Sequence, residues 1–157
     1  MVKWSLRDPK EGDIIRISIG RNMHHYGIFV SDSEVIQYGR SSDIFKNKEE
    51  VKVLSTSINE FLNGKFLEVR EYSLKEKLSK NNKDKIIKLA RNRIGEAKYD
   101  ILNNNCEHFV NECVFNKHES SEAEKYSENL KWFSFFLNKI SYILLFSWQK
   151  KRGKIYT

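Results

Sequence analysis

The chain has 157 residues, a formal net charge of +7 from 28 Lys and Arg against 21 Asp and Glu, one proline, two cysteines and 13% aromatic residues. That length fits one domain with a short appendage, and 10 Phe, 7 Tyr and 3 Trp supply the large apolar side chains that disordered chains lack. The cysteines, Cys106 and Cys113, lie about 10 Å apart on a helix at ~1.5 Å rise per residue, which excludes a disulfide scaffold and predicts a reduced, cytoplasmic chain.

Residues 1–8 contain no apolar run, so no secretory signal peptide is expected there. Residues 13–19 follow the turn-like Pro9-Lys10-Glu11-Gly12 and alternate apolar with polar toward their end, which predicts a strand. Residues 26–30 and 34–38 are two further strand candidates joined by Ser31-Asp32-Ser33, a short polar loop that reads as a hairpin. Residues 51–54 and 66–72 complete the strand set.

After Ser73 the period changes. Ile86, Ile87, Leu89, Ala90 and Ile94 recur near helical spacing between Asn82 and Gly95, with Gly95 as the expected C-terminal cap. A second helix is expected after Asn103-Asn104-Asn105, with Cys106, Phe109, Val110, Cys113 and Val114 on one face. Residues 116–129 are polar and read as a linker or an exposed helix. Strands first and helices later predict an α+β domain, an antiparallel sheet with helices packed on one side.

Cys106 combines a thiol with a helix start, where backbone N–H groups and the positive end of the helix dipole stabilise a thiolate and could hold an oxyanion. Without a base nearby, the ordinary reading of such a residue is a small buried apolar side chain. Cys113, two turns further on, is assigned to core packing.

The hairpin supplies the base. Pairing Val30 with Glu34 puts Gly27 opposite Gln37 and His25 opposite Gly39, all on one face. Gln37 is then diagonal to His25 and can accept from one imidazole nitrogen, leaving the other to take a proton from a thiol. The hairpin alone favours a surface histidine beside a solvent-facing glutamine. Gly27 is expected to leave room beside the ring. His24 should face away from His25, toward solvent. His108, two residues from Cys106 on the helix, is read as a structural, hydrogen-bonding residue. A zinc site from Cys106, His108, Cys113 and His118 lacks paired Cys-x-x-Cys spacing and is set aside.

At these residues the sequence resembles a known family. Asn105-Cys106-Glu107-His108-Phe109-Val110 matches the signature of the lecithin:retinol acyltransferase-like family, which includes H-rev107-type phospholipase/acyltransferases and is related to the NlpC/P60 thiol hydrolases. Gly12-Asp13-Ile14-Ile15 and His25-Tyr26-Gly27-Ile28-Phe29-Val30 resemble it too, in the same order, so the likeness covers residues 9–115. It implies a circularly permuted papain-like topology, with a His-bearing strand before a Cys-bearing helix, in a catalytic domain over residues 1–117. It also implies Cys106 as nucleophile, His25 as base and Gln37 as the residue that orients the base, where H-rev107 relatives commonly carry His. The neutral Gln37 implies lower efficiency rather than another mechanism. The implied activity is a thiol-dependent phospholipase A/acyltransferase working through a thioester on Cys106, with water, an amine or a hydroxyl as acceptor and neither metal nor cofactor.

Residues 118–131 are then a polar linker, and 132–157 an apolar, basic tail. The run WFSFFLNKISYILLFSW at 132–148, broken by Asn138 and Lys139, is short for a span of about 20 residues and fits an interfacial helix with Trp132 and Trp148 at its ends, or a helix packed on the domain or against another chain. The basic Gln149-Lys150-Lys151-Arg152-Gly153-Lys154 that follows favours anionic lipid as partner, hence a membrane-associated location. The alternative is a non-enzymatic RNA- or protein-binding module, as in viral proteins that resemble this family, for which the positive charge would suit nucleic acid.

Overall fold

A computed structural model describes residues 2–20, 23–43 and 48–135. The elements are β1 (Lys3–Ser5), β2 (Ile14–Gly20), β3 (Met23–Ser31), β4 (Glu34–Tyr38), β5 (Val53–Thr56), α1 (Ile58–Leu62), β6 (Glu68–Glu71), α2 (Leu74–Ser79), α3 (Lys83–Asn92) and α4 (Cys106–Phe115). The strands form one six-stranded sheet in the order β1-β6-β2-β3-β4-β5, with every neighbouring pair antiparallel.

The α+β class and the antiparallel sheet agree with the sequence reading. Three short elements escaped it: β1, α1 and α2. Each is six residues or fewer, too short for either period to repeat enough to register. Two of them matter to the architecture. β1 closes the sheet edge by pairing with β6, Trp4 opposite Arg70. α1 lies on the other face of the sheet from α3 and α4, so the expectation of helices on one side is corrected. Its Phe61 packs with Ile15, Ile17, Phe29, Val35 and Val69, whereas Ile86 and Ala90 of α3 and Phe109, Val110, Cys113 and Val114 of α4 pack with Ile14, Tyr26, Ile28, Ile36 and Tyr38. The alternation of each strand thus feeds two separate cores.

Helix starts follow side-chain caps. Asn82 Oδ1 accepts from the Lys85 amide at 2.9 Å at the start of α3, as its sequence position predicts. The other end differs. Arg93 is the C-cap, and Gly95, at φ +92°, sits two residues beyond it, where its N–H donates to the Val53 carbonyl at 2.8 Å. Ile94 accordingly leaves the helix face and is exposed.

The chain divides into two units, Met1–Ala123 and Glu124–Thr157. Residues 121–135 are helical. No helix among the described residues is long and apolar enough to cross a membrane. Most of the expected tail helix, from residue 136 onward, lies outside the described residues.

Candidate active site

The first turn of α4 is built by Asn105. Its side-chain oxygen accepts from the amides of Glu107 at 2.9 Å and His108 at 3.0 Å, and the His108 ring Nδ1 accepts from the Asn105 amide at 3.2 Å. His108 is therefore the reciprocal half of a capping box, the structural role its position predicts. With the Glu107 and His108 amides engaged, the expected set of helix amides for an oxyanion narrows to the N–H of Cys106 itself. The approach to α4 is held by Tyr38, whose hydroxyl accepts from the Lys98 amide at 2.7 Å and whose ring meets Phe109 edge-on.

The strand opposite is β3. Phe29 donates its N–H to Asp13 and accepts from Gly12, so its backbone groups face β2. By the alternation of an antiparallel ladder, the amides of Ile28, Tyr26 and His24 point the other way, toward β4. β4 pairs with β3 only as far as Gly27 opposite Gln37. It then turns away at Gly39, whose φ of +70° suits glycine and whose amide bonds to Lys52 at 2.9 Å. Among the described residues the amides of Tyr26 and His24 are left without a strand partner. The His24 N–H donates to the Glu122 carboxylate at 3.0 Å, and the Tyr26 amide faces the Cys106 thiol, where it favours the thiolate.

His25 and Gln37 meet as the hairpin register predicts. Phe29 pairs with Val35 and Gly27 with Gln37, while the loop end differs by one residue: Glu34 lies opposite Ser31, not Val30, across an irregularity. His25 Nε2 is 2.7 Å from Gln37 Oε1, and Gln37 Nε2 donates to Thr56 Oγ1 at 2.6 Å. An amide oxygen only accepts, so the Nε2 of His25 carries the hydrogen and Nδ1 is left to receive a proton. Both residues are buried, at 4% and 1% exposure. The ring packs on Phe61 with centroids 5.5 Å apart. That phenyl ring, with Val35, fills the space expected to stay open beside the imidazole: a Cβ on Gly27 would come within 2.9 Å of Phe61 Cε2 and 3.0 Å of Val35 Cγ1.

Alternation along β3 separates the two reactive side chains. Tyr26 shares a core with Cys106 and α4, whereas His25 points into the core capped by α1. The sulfur reaches β3 at the peptide joining His25 to Tyr26, and among the described residues no hydrogen bond joins the thiol to the imidazole.

The electrostatics favour a neutral resting pair. Burial pushes the Cys106 thiol up to about 12, reinforced by the carboxylates of Glu122 and Glu107 and opposed by the amides of Tyr26 and Cys106. Burial also holds His25 down to about 4, with Lys65 acting in the same direction and the Gln37 hydrogen bond, Asp43 and the Gly39 backbone acting against it. A thiol and an unprotonated imidazole are thus the resting forms at neutral pH.

The remaining candidates fall elsewhere. His24 is half-buried rather than solvent-facing, because its Nδ1 lies 2.9 Å from Glu122 Oε1, on the Cys106 side of β3. Cys113 is 1% exposed in the core, as expected. His108 stacks on His118 with ring centroids 4.4 Å apart, and among the described residues no three His, Cys, Asp or Glu side chains converge as metal ligands would. Sequence reasoning missed Glu107 and Glu122. Glu107 sat inside a recognised motif but carried no sign that it would be buried, and Glu122 lay in a stretch read as linker.

Residues 7–119 match the family described as lecithin retinol acyltransferase. The chain is similar to lecithin retinol acyltransferase of Bos taurus, 27% identical over 142 residues, covering 76% of this chain and 60% of the relative. It is similar to phospholipase A and acyltransferase 3 of Mus musculus, 32% identical over 128 residues, covering 74% of this chain and 76% of the relative. A third relative is phospholipase A and acyltransferase 4 of Homo sapiens, 27% identical over 131 residues, with 76% and 77% covered. The chain spans about 60% of the length of the lecithin retinol acyltransferases it matches.

Proposed function

The chain belongs to the lecithin retinol acyltransferase family, and on that premise we propose that it is a thiol-dependent phospholipase A/acyltransferase that passes an acyl group through a thioester on Cys106. The observation that carries this reading is Cys106 as the first residue of α4, behind the Asn105 cap and beside the backbone that follows His25, whose ring Gln37 holds at 2.7 Å. The relatives' names are those of acyltransferases, which favours it over an RNA-binding module. The order of a His-bearing strand before a Cys-bearing helix supports the permuted papain-like, NlpC/P60-like topology as part of the same proposal.

Acylation needs the thiol proton to leave as sulfur attacks. His25 Nδ1 takes it, Gln37 holding the opposite nitrogen so that the ring presents a lone pair. This transfer requires the His25 ring to reach the Cys106 side of β3, since in the resting structure the two side chains lie in separate cores. The carbonyl carbon gains the sulfur, its oxygen becomes an oxyanion beside the N–H groups of Cys106 and Tyr26, and collapse breaks the ester C–O bond. His25 returns the proton to the departing lysophospholipid oxygen. In the second half, water, a hydroxyl or an amine gives its proton to His25 and attacks the thioester, and the thiol is restored with that proton. Neutral resting forms suit this cycle, because charge appears only as bonds change.

We place the reaction at the cytoplasmic surface of a membrane, with residues 1–117 as the catalytic domain, 118–131 as connection and the apolar-basic 132–157 as the lipid-associating segment; the composition of 132–154 supports this. Incubation with phospholipid followed by intact-mass analysis should give an acyl adduct on Cys106 that Cys106→Ser lacks. Equal phospholipase activity in wild type and Cys106→Ser would refute the proposal.

A further inference from the structure

At the end of β3 beyond Gly27, one of the two groups that face its amides comes from outside the family match. Two successive β4-facing amides there, His24 and Tyr26, lack a strand partner among the described residues; facing them are two acceptor groups, the Glu122 carboxylate, which takes the His24 N–H, and the Cys106 sulfur beside Tyr26. Residues two apart on a strand put these acceptors roughly 7 Å apart along one edge, at ~3.3 Å per residue. Glu122 holds three groups of β3 at once: the His24 amide at 3.0 Å, the His24 ring Nδ1 at 2.9 Å and the Tyr26 hydroxyl at 3.0 Å.

The same turn grips α4. Glu107, the residue after the nucleophile and 8% exposed, accepts from Ser120 Oγ at 2.8 Å, Ser121 Oγ at 2.9 Å and the Glu122 amide at 2.9 Å. Ser120 Oγ in turn accepts from Asn105 Nδ2 at 3.0 Å, while Asn105 Oδ1 caps the Glu107 amide. Asn105, Glu107 and Ser120 close a ring of hydrogen bonds around the start of α4. A single turn therefore fixes both the strand that supplies an amide to the sulfur and the helix that carries the sulfur.

We infer that Ser120, Ser121 and Glu122, the cap and opening of the helix over 121–135 and just past the family match at residue 119, form a positioning element for Cys106, with Glu122 holding the Tyr26 amide in register with the sulfur. The inference rests on the reading of Cys106 as nucleophile, but its geometry can be tested without phospholipid. Around the thiol the titratable groups are Tyr26 on β3, Glu107 on α4, Tyr99 before α4 and Glu122. The Glu122 charge raises the thiol and the Tyr26 amide lowers it. Glu122→Gln removes the charge and keeps oxygen and length, whereas Glu122→Ala removes charge and grip together.

The test is the pH midpoint of iodoacetamide alkylation of Cys106 in the full chain, read by mass spectrometry of the Cys106 peptide so that Cys113 does not interfere. Glu122→Gln should lower the midpoint by about one unit, the effect of one neighbouring charge. Glu122→Ala should sit measurably above the Gln variant, because the amide no longer meets the sulfur. Acyl transfer from phospholipid should fall about tenfold in Glu122→Ala and recover in Glu122→Gln, the loss expected of a small misplacement. Equal midpoints in the two variants would reduce Glu122 to a bystander charge, and midpoints unchanged from wild type would remove it from the site; either overturns the inference. If Cys106→Ser retained phospholipase activity, the function would fail while the alkylation midpoints still decided the role of Glu122.

Discussion

His25 Nε2 and Gln37 Oε1 lie 2.7 Å apart inside the protein, and Thr56 takes the other end of the Gln37 amide. This chain of three fixes which imidazole nitrogen is left to act. Gln37→Ala should lower kcat/KM for phospholipid by about a hundredfold through loss of ring orientation. It should also cost about 1–3 kcal/mol of stability by stranding a buried donor, read from urea unfolding. Gln37→His, the residue common in H-rev107 relatives, should raise kcat/KM. Wild-type kinetics in Gln37→Ala would separate Gln37 from catalysis.

Stability should fall as the solution is acidified, with His25 as a main cause. The folded chain holds His25 near 4 against an ordinary 6.5, so between these values the unfolded chain binds the extra proton. Stability is therefore full above about pH 6.5, declines as pH falls toward 4 and levels off below, a change of about 3 kcal/mol for this group. Urea midpoints at pH 7 and pH 4.5 measure it. His25→Gln should flatten the decline, and an equal slope in that variant would assign the acid sensitivity to other groups.

Gly27→Ala should destabilise by about 1–3 kcal/mol, because the new methyl collides with Phe61 and Val35 in a packed core. Since Phe61 is the ring against His25, activity should fall alongside stability. Near-UV circular dichroism and thermal unfolding report the first effect and turnover the second. An unperturbed Tm would mean that Phe61 moves freely, contrary to the packing described.

Asn105→Ala should cost about 2 kcal/mol, since it uncaps the Glu107 and His108 amides and opens the ring through Ser120. Amide hydrogen exchange should rise first in the opening turn of α4. Protection unchanged at Glu107 and His108 would show that another acceptor replaces the cap.

Deletion of residues 131–157 should abolish flotation with anionic liposomes and leave the alkylation of Cys106 unaltered, if the tail is what meets lipid. Flotation equal to that of the full chain would place lipid binding within residues 1–130 instead.

Much of this protein is written locally. Asn105 before Cys106 specifies a helix start by cap chemistry, and alternation through residues 26–38 fixes the face shared by His25, Gly27 and Gln37. These needed only neighbours within a dozen residues, which is why the Gly27–Gln37 pairing could be read without coordinates. The tertiary structure alone decided what lies across large separations. Phe61 closes over His25, β4 leaves β3 at Gly39, and Glu122 crosses 98 residues of chain to satisfy His24. A strand's periodicity states which residues share a face but not which element will cover it, nor where a neighbouring strand departs and leaves amides to be met by a thiol and a carboxylate. That departure, invisible in the pattern of residues, sets the relation between Cys106 and His25.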